Sequence, residues 1–421
     1  MSKSQIYVKI FKVTMVKILK FILKKLSELT LRKYRPKIIA ISGTVGKTST
    51  KEAVFCLLKK FKNCRATSKN YNNELGVPLA ILGDWQEISS PAAFFWLKVF
   101  LKSIWNLIFF NKNYPEILIL ELAADRPGDI EYFMKFIKPN IGIITAVGEI
   151  PSHIEFYPNL SALAKEKAKI IENLPPDGLA ILNFDDVLVL SMKEKTKAKV
   201  ITYGFKEGAD FQILNHQIEF NENFKGTSMK FFWQGNLIPF KIGNTFGKGI
   251  ALALAAAFCV GISENLNLIE ISNALDDFYP PKHRMNLVKG IKNSWIIDDC
   301  YNASPISVRN ALEVLEKIKA PRKIIILGDM KELGKYSYEA HFGIGKEAAK
   351  VGDLLIFVGN FAKIYEAGAK EADPSKKIYC FDSSEKAKLK VQELLKEKNL
   401  ILIKGSRAIR LEKILEEIKY Q

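Results

Sequence analysis

The residues whose types and spacing could do chemistry begin at Gly43-Thr44-Val45-Gly46-Lys47-Thr48-Ser49. The apolar run KIIAIS (37–42) precedes them and a helical stretch from Thr50 to Lys60 follows, so the segment reads strand, glycine-rich turn, helix. Such a turn cradles phosphates. Backbone N–H groups and the helix N-terminus face the anion, Lys47 reaches the outer phosphates, and Thr48 offers a hydroxyl to Mg²⁺. The general P-loop pattern wants a Gly six residues before the Lys, and here that position is Ile41, so the match is to a variant of the motif.

The elements that must hold this turn are legible as an alternation of short apolar runs and helical stretches. KIIAIS, EILILEL (116–122), IGIITAV (141–147), GLAILNF (178–184) and KVITYG (199–204) read as buried strands of a mostly parallel sheet. Residues 210–242 alternate polar and apolar types and predict a small antiparallel patch, after which ALALAAAFCVGI (251–262) reads as a buried helix. Past Pro280-Pro281 a second alternation begins with SWIID, KIIIL, LLIFVG, KIYCF and NLILIK. The expected fold class is α/β: a central P-loop-type domain over 36–283, a Rossmann-like C-terminal domain over 284–421, and a basic amphipathic helix over 1–35. A chain of 421 residues with 48% hydrophobic and 26% charged residues has core enough for this plan, and its composition excludes a disordered or fibrous protein.

Net charge is +18, and half of it is local: residues 1–35 hold ten basic residues against the single acid Glu28. These alternate with Ile, Leu, Phe, Val and Met rather than spreading over a folded face with stacking aromatics, which favours an anionic membrane surface over nucleic acid. From Lys9 to Leu29 a helical projection gathers Lys9, Lys12, Lys17, Lys20 and Lys24 on one arc and Phe11, Met15, Ile18, Ile22, Leu26 and Leu29 on the other. No run of about 18 uncharged residues is present, so this helix lies on a bilayer or on the protein's own body rather than across a membrane. A second apolar segment, PAAFFWLKVFLKSIWNLIFFN (91–111, within an insertion over 84–114), reads either as a core helix pair or as an exposed insertion dipping into a membrane interface. The five dispersed cysteines and the lack of a cleavable leader fit a reduced, cytoplasmic chain, with the inner membrane face as an added site.

Further motifs accompany the turn. NYNNELGVPLAIL (70–82), LELAADRPGDI (120–130), AVGEIPSHIEFYPNLSALAKEKAKI (146–170), IIDDCYNASP (296–305), LGDMKELG (327–334) with His341, and IKGSR (403–407) occur in one order along the chain. Together with GTVGKT they resemble the Mur ligase family of ATP-dependent amide-forming enzymes, closest to its branch that adds a D-alanyl-D-alanine dipeptide. The resemblance runs from about residue 37 to 415.

That resemblance implies ATP and Mg²⁺ as cofactors, with Gly43, Thr44, Gly46, Lys47, Thr48, Ser49 and Asp299 holding the nucleotide. It makes Thr48, Glu121 and His153 metal ligands, with Lys167 joining them once carbamoylated. It gives catalytic roles to Lys47, Lys167, His153 and the interdomain Arg284, and substrate contacts to Asn72, Asn73, Glu74, Tyr301, Asn302, Lys404 and Arg407. The implied reaction forms an acyl phosphate on a cell-wall precursor and lets the amine of a dipeptide displace phosphate, in peptidoglycan biosynthesis. Three departures accompany it: about 36 residues precede the first strand, where the branch carries a uridine-holding domain; Lys248 and Leu252 stand where the family places a His and an Asn near adenine; and VGEIPSH carries two more residues between its Gly and His153 than the family pattern. Alternative readings are a related amide ligase acting on a lipid-linked or other carboxylate acceptor, and a membrane-associated nucleotide-binding module without ligase turnover.

Overall fold

The structure is a computed structural model that describes residues 3–68, 71–85, 87–89 and 91–420, with residues 3–13 as backbone alone. The side chains of Lys3, Lys9, Phe11 and Lys12, and Asn70 of the NYNNE segment, therefore lie outside the described residues.

Two sheets carry the molecule. The first has nine strands: β1 (Lys37–Ser42), β2 (Cys64–Ala66), β3 (Ile117–Glu121), β4 (Ile141–Ile144), β5 (Leu179–Asn183), β6 (Lys199–Gly204), β7 (Phe211–Phe220), β8 (Lys225–Trp233) and β9 (Asn236–Gly243). Their spatial order is β2-β3-β1-β4-β5-β6-β7-β8-β9. The strands from β2 to β7 pair in parallel, while β7, β8 and β9 are antiparallel neighbours. The antiparallel patch foreseen over 210–242 is β7, β8 and β9, and it joins the main sheet. Tyr203 and Gly204 of β6 register with Phe211 and Gln212 of β7, which extends the main sheet.

The reason for the parallel half is visible in its residues. Ile38, Ile39, Ala40 and Ile41 of β1 are all buried, as are all five residues of β3, because helices cover both faces. On one face lie α2 (Lys47–Leu58) and the alanine-rich helix Lys248–Ser263, packed through Val54, Leu57, Leu254 and Phe258. The other face carries α3 (Gly76–Leu82), α5 (Asp129–Met134) and α6 (Leu160–Glu172).

The second sheet has six strands: β10 (Asn286–Lys289), β11 (Trp295–Asp299), β12 (Lys323–Gly328), β13 (Leu354–Val358), β14 (Lys377–Phe381) and β15 (Leu400–Lys404), ordered β10-β11-β15-β12-β13-β14. All but β10 run parallel.

Two expectations need correction. The N-terminal helix α1 (Lys3–Tyr34) fills the expected segment, but its register differs from the helical projection. Leu23, Ser27, Thr30 and Leu31 are its buried stripe, whereas Met15, Ile18 and Phe21 are exposed and Lys20 and Lys24 are half-buried. The lysines turn inward because partners await them: Lys20 pairs with Glu74, and Lys24 sits 5.1 Å from the Tyr132 ring centre. The aromatic segment is not a helix pair, and its outer face is exposed. It is one helix, α4 (Ala92–Ile108), whose Phe95 and Val99 pack on Leu23 of α1 and on Leu79 and Leu82 of α3, leaving the opposite face in solvent.

Candidate active site

The carboxyl ends of β1, β3 and β4 meet at the turn that begins at Gly43, the edge where ligands bind in open α/β sheets. Gly43 has φ +150° and Gly46 φ +90°, backbone that a side chain resists. A Cβ on Gly43 would lie 2.0 Å from Thr145 Oγ1, a hydroxyl that itself donates to Val45 O at 2.6 Å. Gly43→Ala is therefore expected to cost about 1–3 kcal/mol from backbone strain alone, plus the displacement of Thr145. A lower Tm together with lost ADP binding is the outcome to look for in a thermal-shift titration.

Gly46 starts α2 with no side-chain cap and no acid in the first turn, so the N–H groups of that turn face the cleft with the positive end of the helix. Lys47 folds over the turn, its Nζ donating to Gly43 O at 2.8 Å and Thr44 O at 3.3 Å. Burial holds its pKa below the usual lysine range, a shift that Glu121 and Asp125 oppose.

Thr48 lies beside Glu121, Oγ1 to Oε1 at 3.2 Å, and Asn72 Nδ2 donates to the same carboxylate oxygen at 3.0 Å. Glu121 is 2% exposed, and its other oxygen, Oε2, has no partner. A buried, half-satisfied carboxylate against a threonine hydroxyl is the donor set a hard divalent cation wants, so these residues fit Mg²⁺. His153, with φ +69°, lines the same cleft. Its Nε2 is 3.3 Å from Asp125 Oδ1, and its Nδ1 is 2.5 Å from Glu332 Oε2. The His153 ring at this contact holds Glu332 below the usual carboxylate range. Because Glu332 belongs to the loop after β12, it ties the two sheets together across the cleft.

Lys167 comes from α6. Its Nζ donates to Gly43 O at 3.0 Å, so two lysines share one carbonyl. Burial, with Lys47 adding to it, pushes Lys167 down to about 7.

The second sheet supplies the opposite wall. Arg284 crosses to donate to Thr48 Oγ1 at 2.9 Å, and its guanidinium lies 4.2 Å from the Tyr301 ring centre. Asp299 ends β11 and takes a hydrogen bond from Lys404 Nζ at 2.5 Å, while the same lysine donates to Asn302 O at 2.9 Å. Burial raises Asp299, with Lys404 and Arg284 pulling the other way. Just behind, His283 Nδ1 lies 2.8 Å from Asp298 Oδ2, and Cys300 Sγ donates to Asp298 Oδ1 at 3.0 Å, which braces the crossing segment.

The structure thus brings Thr44, Gly46, Lys47, Thr48, Ser49, Asn72, Glu121, His153, Arg284, Asp299, Tyr301, Asn302 and Lys404 around one cleft of about 280 Å³. Gly43 opens the turn itself, and Lys167 lies behind it on the Gly43 carbonyl. Three of the expected substrate contacts lie elsewhere. Asn73 Oδ1 accepts from Leu75 and Gly76 N–H at the start of α3, Glu74 is held by Lys20, and Arg407 stands exposed beside Tyr301, 3.5 Å from its hydroxyl. Sequence reasoning missed Asp125, which faces Lys47, Lys167 and His153. Its place four residues past Glu121, after β3, was the available signal. A neighbouring cavity of about 750 Å³ opens on the other side of Gly46, lined by Asn183, Tyr203, Lys248, Leu252 and Ile306 among others.

Two family models match the chain: the Mur ligase middle domain over residues 105–261 and the Mur ligase, glutamate ligase domain over 283–407. With a relative 31% identical along most of its length, the chain belongs to the Mur ligase family. That relative is the UDP-N-acetylmuramoyl-tripeptide--D-alanyl-D-alanine ligase of Buchnera aphidicola subsp. Baizongia pistaciae, matched over 90% of this chain and 75% of its own length. Among solved structures, the MurF ligase of Thermotoga maritima in complex with ADP is 27% identical, with a TM-score of 0.76 over 94% of this chain and 83% of that one. MurF from Acinetobacter baumannii has a TM-score of 0.78 over 94% and 80% at 23% identity, a likeness of fold.

Proposed function

We propose that the chain is an ATP-dependent ligase that adds D-alanyl-D-alanine to the tripeptide carboxylate of a UDP-N-acetylmuramoyl precursor, in peptidoglycan synthesis. The observation that carries the reading is the meeting of Lys47, Thr48, Glu121 and Arg284 at one uncapped helix N-terminus. Phosphoryl transfer needs positioning and charge stabilisation more than covalent help, and these residues supply both.

The triphosphate lies along the Gly43 turn, with its base in the cavity beyond Gly46 toward Lys248 and Leu252. Lys47 and Arg284 approach the terminal phosphate from opposite walls. The acceptor carboxylate attacks that phosphorus and ADP leaves, which gives an acyl phosphate. The deprotonated amine of the dipeptide then adds to the acyl carbon, and phosphate departs as the tetrahedral intermediate collapses. Thr48, Glu121 and His153 would hold Mg²⁺, which when bound neutralises charge on the phosphates. Asn72 keeps Glu121 turned toward Thr48. Tyr301, Asn302 and Lys404 form the side from which the dipeptide is presented. Residues 36–283 and 284–421 act as the two closing bodies, hinged over 278–285.

Carbamoylation of Lys167 belongs to the same reading. The half-buried Lys47 and the buried Lys167 crowd one carbonyl, that of Gly43, and an amine with a pKa near 7 is neutral often enough to take up CO₂. Its nitrogen bonds the carbon, a proton leaves, and one of two crowded cations becomes an anion beside Lys47. We locate the work in the cytoplasm at the inner membrane face, a reading supported by the basic, apolar first helix.

The test is product formation with ATP, D-alanyl-D-alanine and UDP-N-acetylmuramoyl-tripeptide. ADP and phosphate release in step with amide formation, and dependent on both substrates, is expected. Release that ignores the dipeptide would overturn the reading.

A further inference from the structure

Helix α4 has an apolar face that the fold does not use. Phe95 and Val99 fill its buried stripe, yet Phe94, Leu97, Leu101, Ile104, Trp105 and Ile108 all face solvent, with Trp105 62% and Ile108 67% exposed. Phe109 and Phe110 prolong the face, and Met15, Ile18 and Phe21 of α1, which packs on α4, carry exposed apolar side chains of their own. Monomeric soluble proteins seldom leave so many large apolar groups together without a use for them.

The helix is also fixed in place. Lys33 Nζ donates to the carbonyls of Asn106, Leu107 and Phe109 at 2.9 to 3.0 Å, which closes the C-terminus of α4. Tyr34 OH donates to Asn106 O at 2.7 Å and its ring lies 5.3 Å from that of Phe110. A helix strapped this way keeps its outer face out of the core.

Charge tells what the face meets. Residues 91–113 contain Lys98, Lys102 and Lys112 and no acid, and residues 14–35 contain seven Lys or Arg against Glu28, which Lys25 and Arg32 already engage. A dimer of such faces would set like charges against each other. An anionic bilayer instead takes the apolar side chains below its headgroups and the lysines among its phosphates. Among the described residues no helix is long and apolar enough to cross a membrane, and at 1.5 Å per residue the 17 residues of α4 give roughly 26 Å of helix to lie in the interface.

We propose that the outer faces of α4 and α1 form a docking surface for anionic lipid, which seats the chain flat on the bilayer. The surface reaches the site by a short path. Lys20 of α1 holds Glu74, two residues beyond Asn72, whose amide grips Glu121. Docked in this way, the cleft works as a ligase beside the bilayer. That consequence rests on the ligase reading above, whereas the docking does not.

The experiment is sedimentation of the full chain with phosphatidylcholine vesicles, with and without phosphatidylglycerol, and requires neither ATP nor turnover. The chain is expected to bind the phosphatidylglycerol vesicles and to lose at least roughly tenfold in partitioning as Leu101→Glu/Trp105→Glu, exposed positions that leave the core intact. Lys98→Gln/Lys102→Gln is expected to reduce binding to the anionic vesicles, and salt to weaken it. A matching Tm for each variant separates lost docking from lost folding. Equal partitioning of wild type and Leu101→Glu/Trp105→Glu would overturn the proposal. So would a chain that ignores both vesicles and instead forms a dimer that this double variant abolishes. A membrane failure with intact ligation leaves the ligase reading standing, and the reverse holds as well.

Discussion

Lys47→Ala is expected to lower ATP-dependent product formation at least about 10²- to 10³-fold, the range seen when one preorganised charge partner of a transition state is removed. Its Nζ is half-buried at the cleft wall and held by two carbonyls of the turn, so the charge is screened less than in open water. The loss should fall mainly on kcat, because the N–H groups of α2 and the cavity beyond Gly46 still bind the rest of the nucleotide. Folding should not suffer. Burial already disfavours the Lys47 cation, and in protein freed of CO₂, where Lys167 is a plain amine on the same acceptor, removing Lys47 relieves a repulsion. Steady-state kinetics beside a thermal melt checks both halves: a large fall in rate with an unchanged or raised Tm. A variant that kept full activity would remove the turn from the chemistry.

Lys167→Ala carries the other large effect, a loss of about 10²-fold or more, with partial recovery when acetate supplies the missing carboxylate. In the wild type the same group sets a pH dependence with a definite sign. The amine titrates near pH 7; below that it is protonated, cannot take up CO₂, and any carbamate is lost, so activity should fall as pH drops through 7 and rise toward pH 8. A flat rate between pH 6 and 8, combined with no rescue by acetate, would show that Lys167 stays a plain amine.

Both effects concern residues the sequence exposes unevenly. The turn from Gly43 to Ser49 is legible because strand, glycines and helix start are contiguous, and apolar runs such as the IIIL of KIIIL identify buried parallel strands without outside help. Short or polar strands escape that test: β2 is only Cys64-Arg65-Ala66, and β10 begins on Asn286 and ends on Lys289. Their pairing is decided by neighbours distant in the chain. Contacts such as Arg284 to Thr48, 236 residues apart, come only from resemblance to a family, since no local pattern encodes them.

The α1 register shows the same limit from another side. A helical projection sorts residues by type, but Lys20 and Lys24 turn inward because Glu74 and Tyr132 offer partners, and Phe21 turns outward as a result. Asn73 likewise looks like a ligand contact within NNE, while in the fold its carboxamide is taken by the first N–H groups of α3. Polar residues in a motif divide between chemistry and the caps that hold the chemistry in place.

The most direct measurement is isotope transfer. UDP-N-acetylmuramoyl-tripeptide labelled with ¹⁸O in its terminal carboxylate is incubated with the chain, ATP and D-alanyl-D-alanine, and the released phosphate is weighed by mass spectrometry. One ¹⁸O carried into each phosphate is the result predicted for an acyl phosphate formed at the Gly43 turn. Phosphate released free of label, alongside normal product, would contradict it.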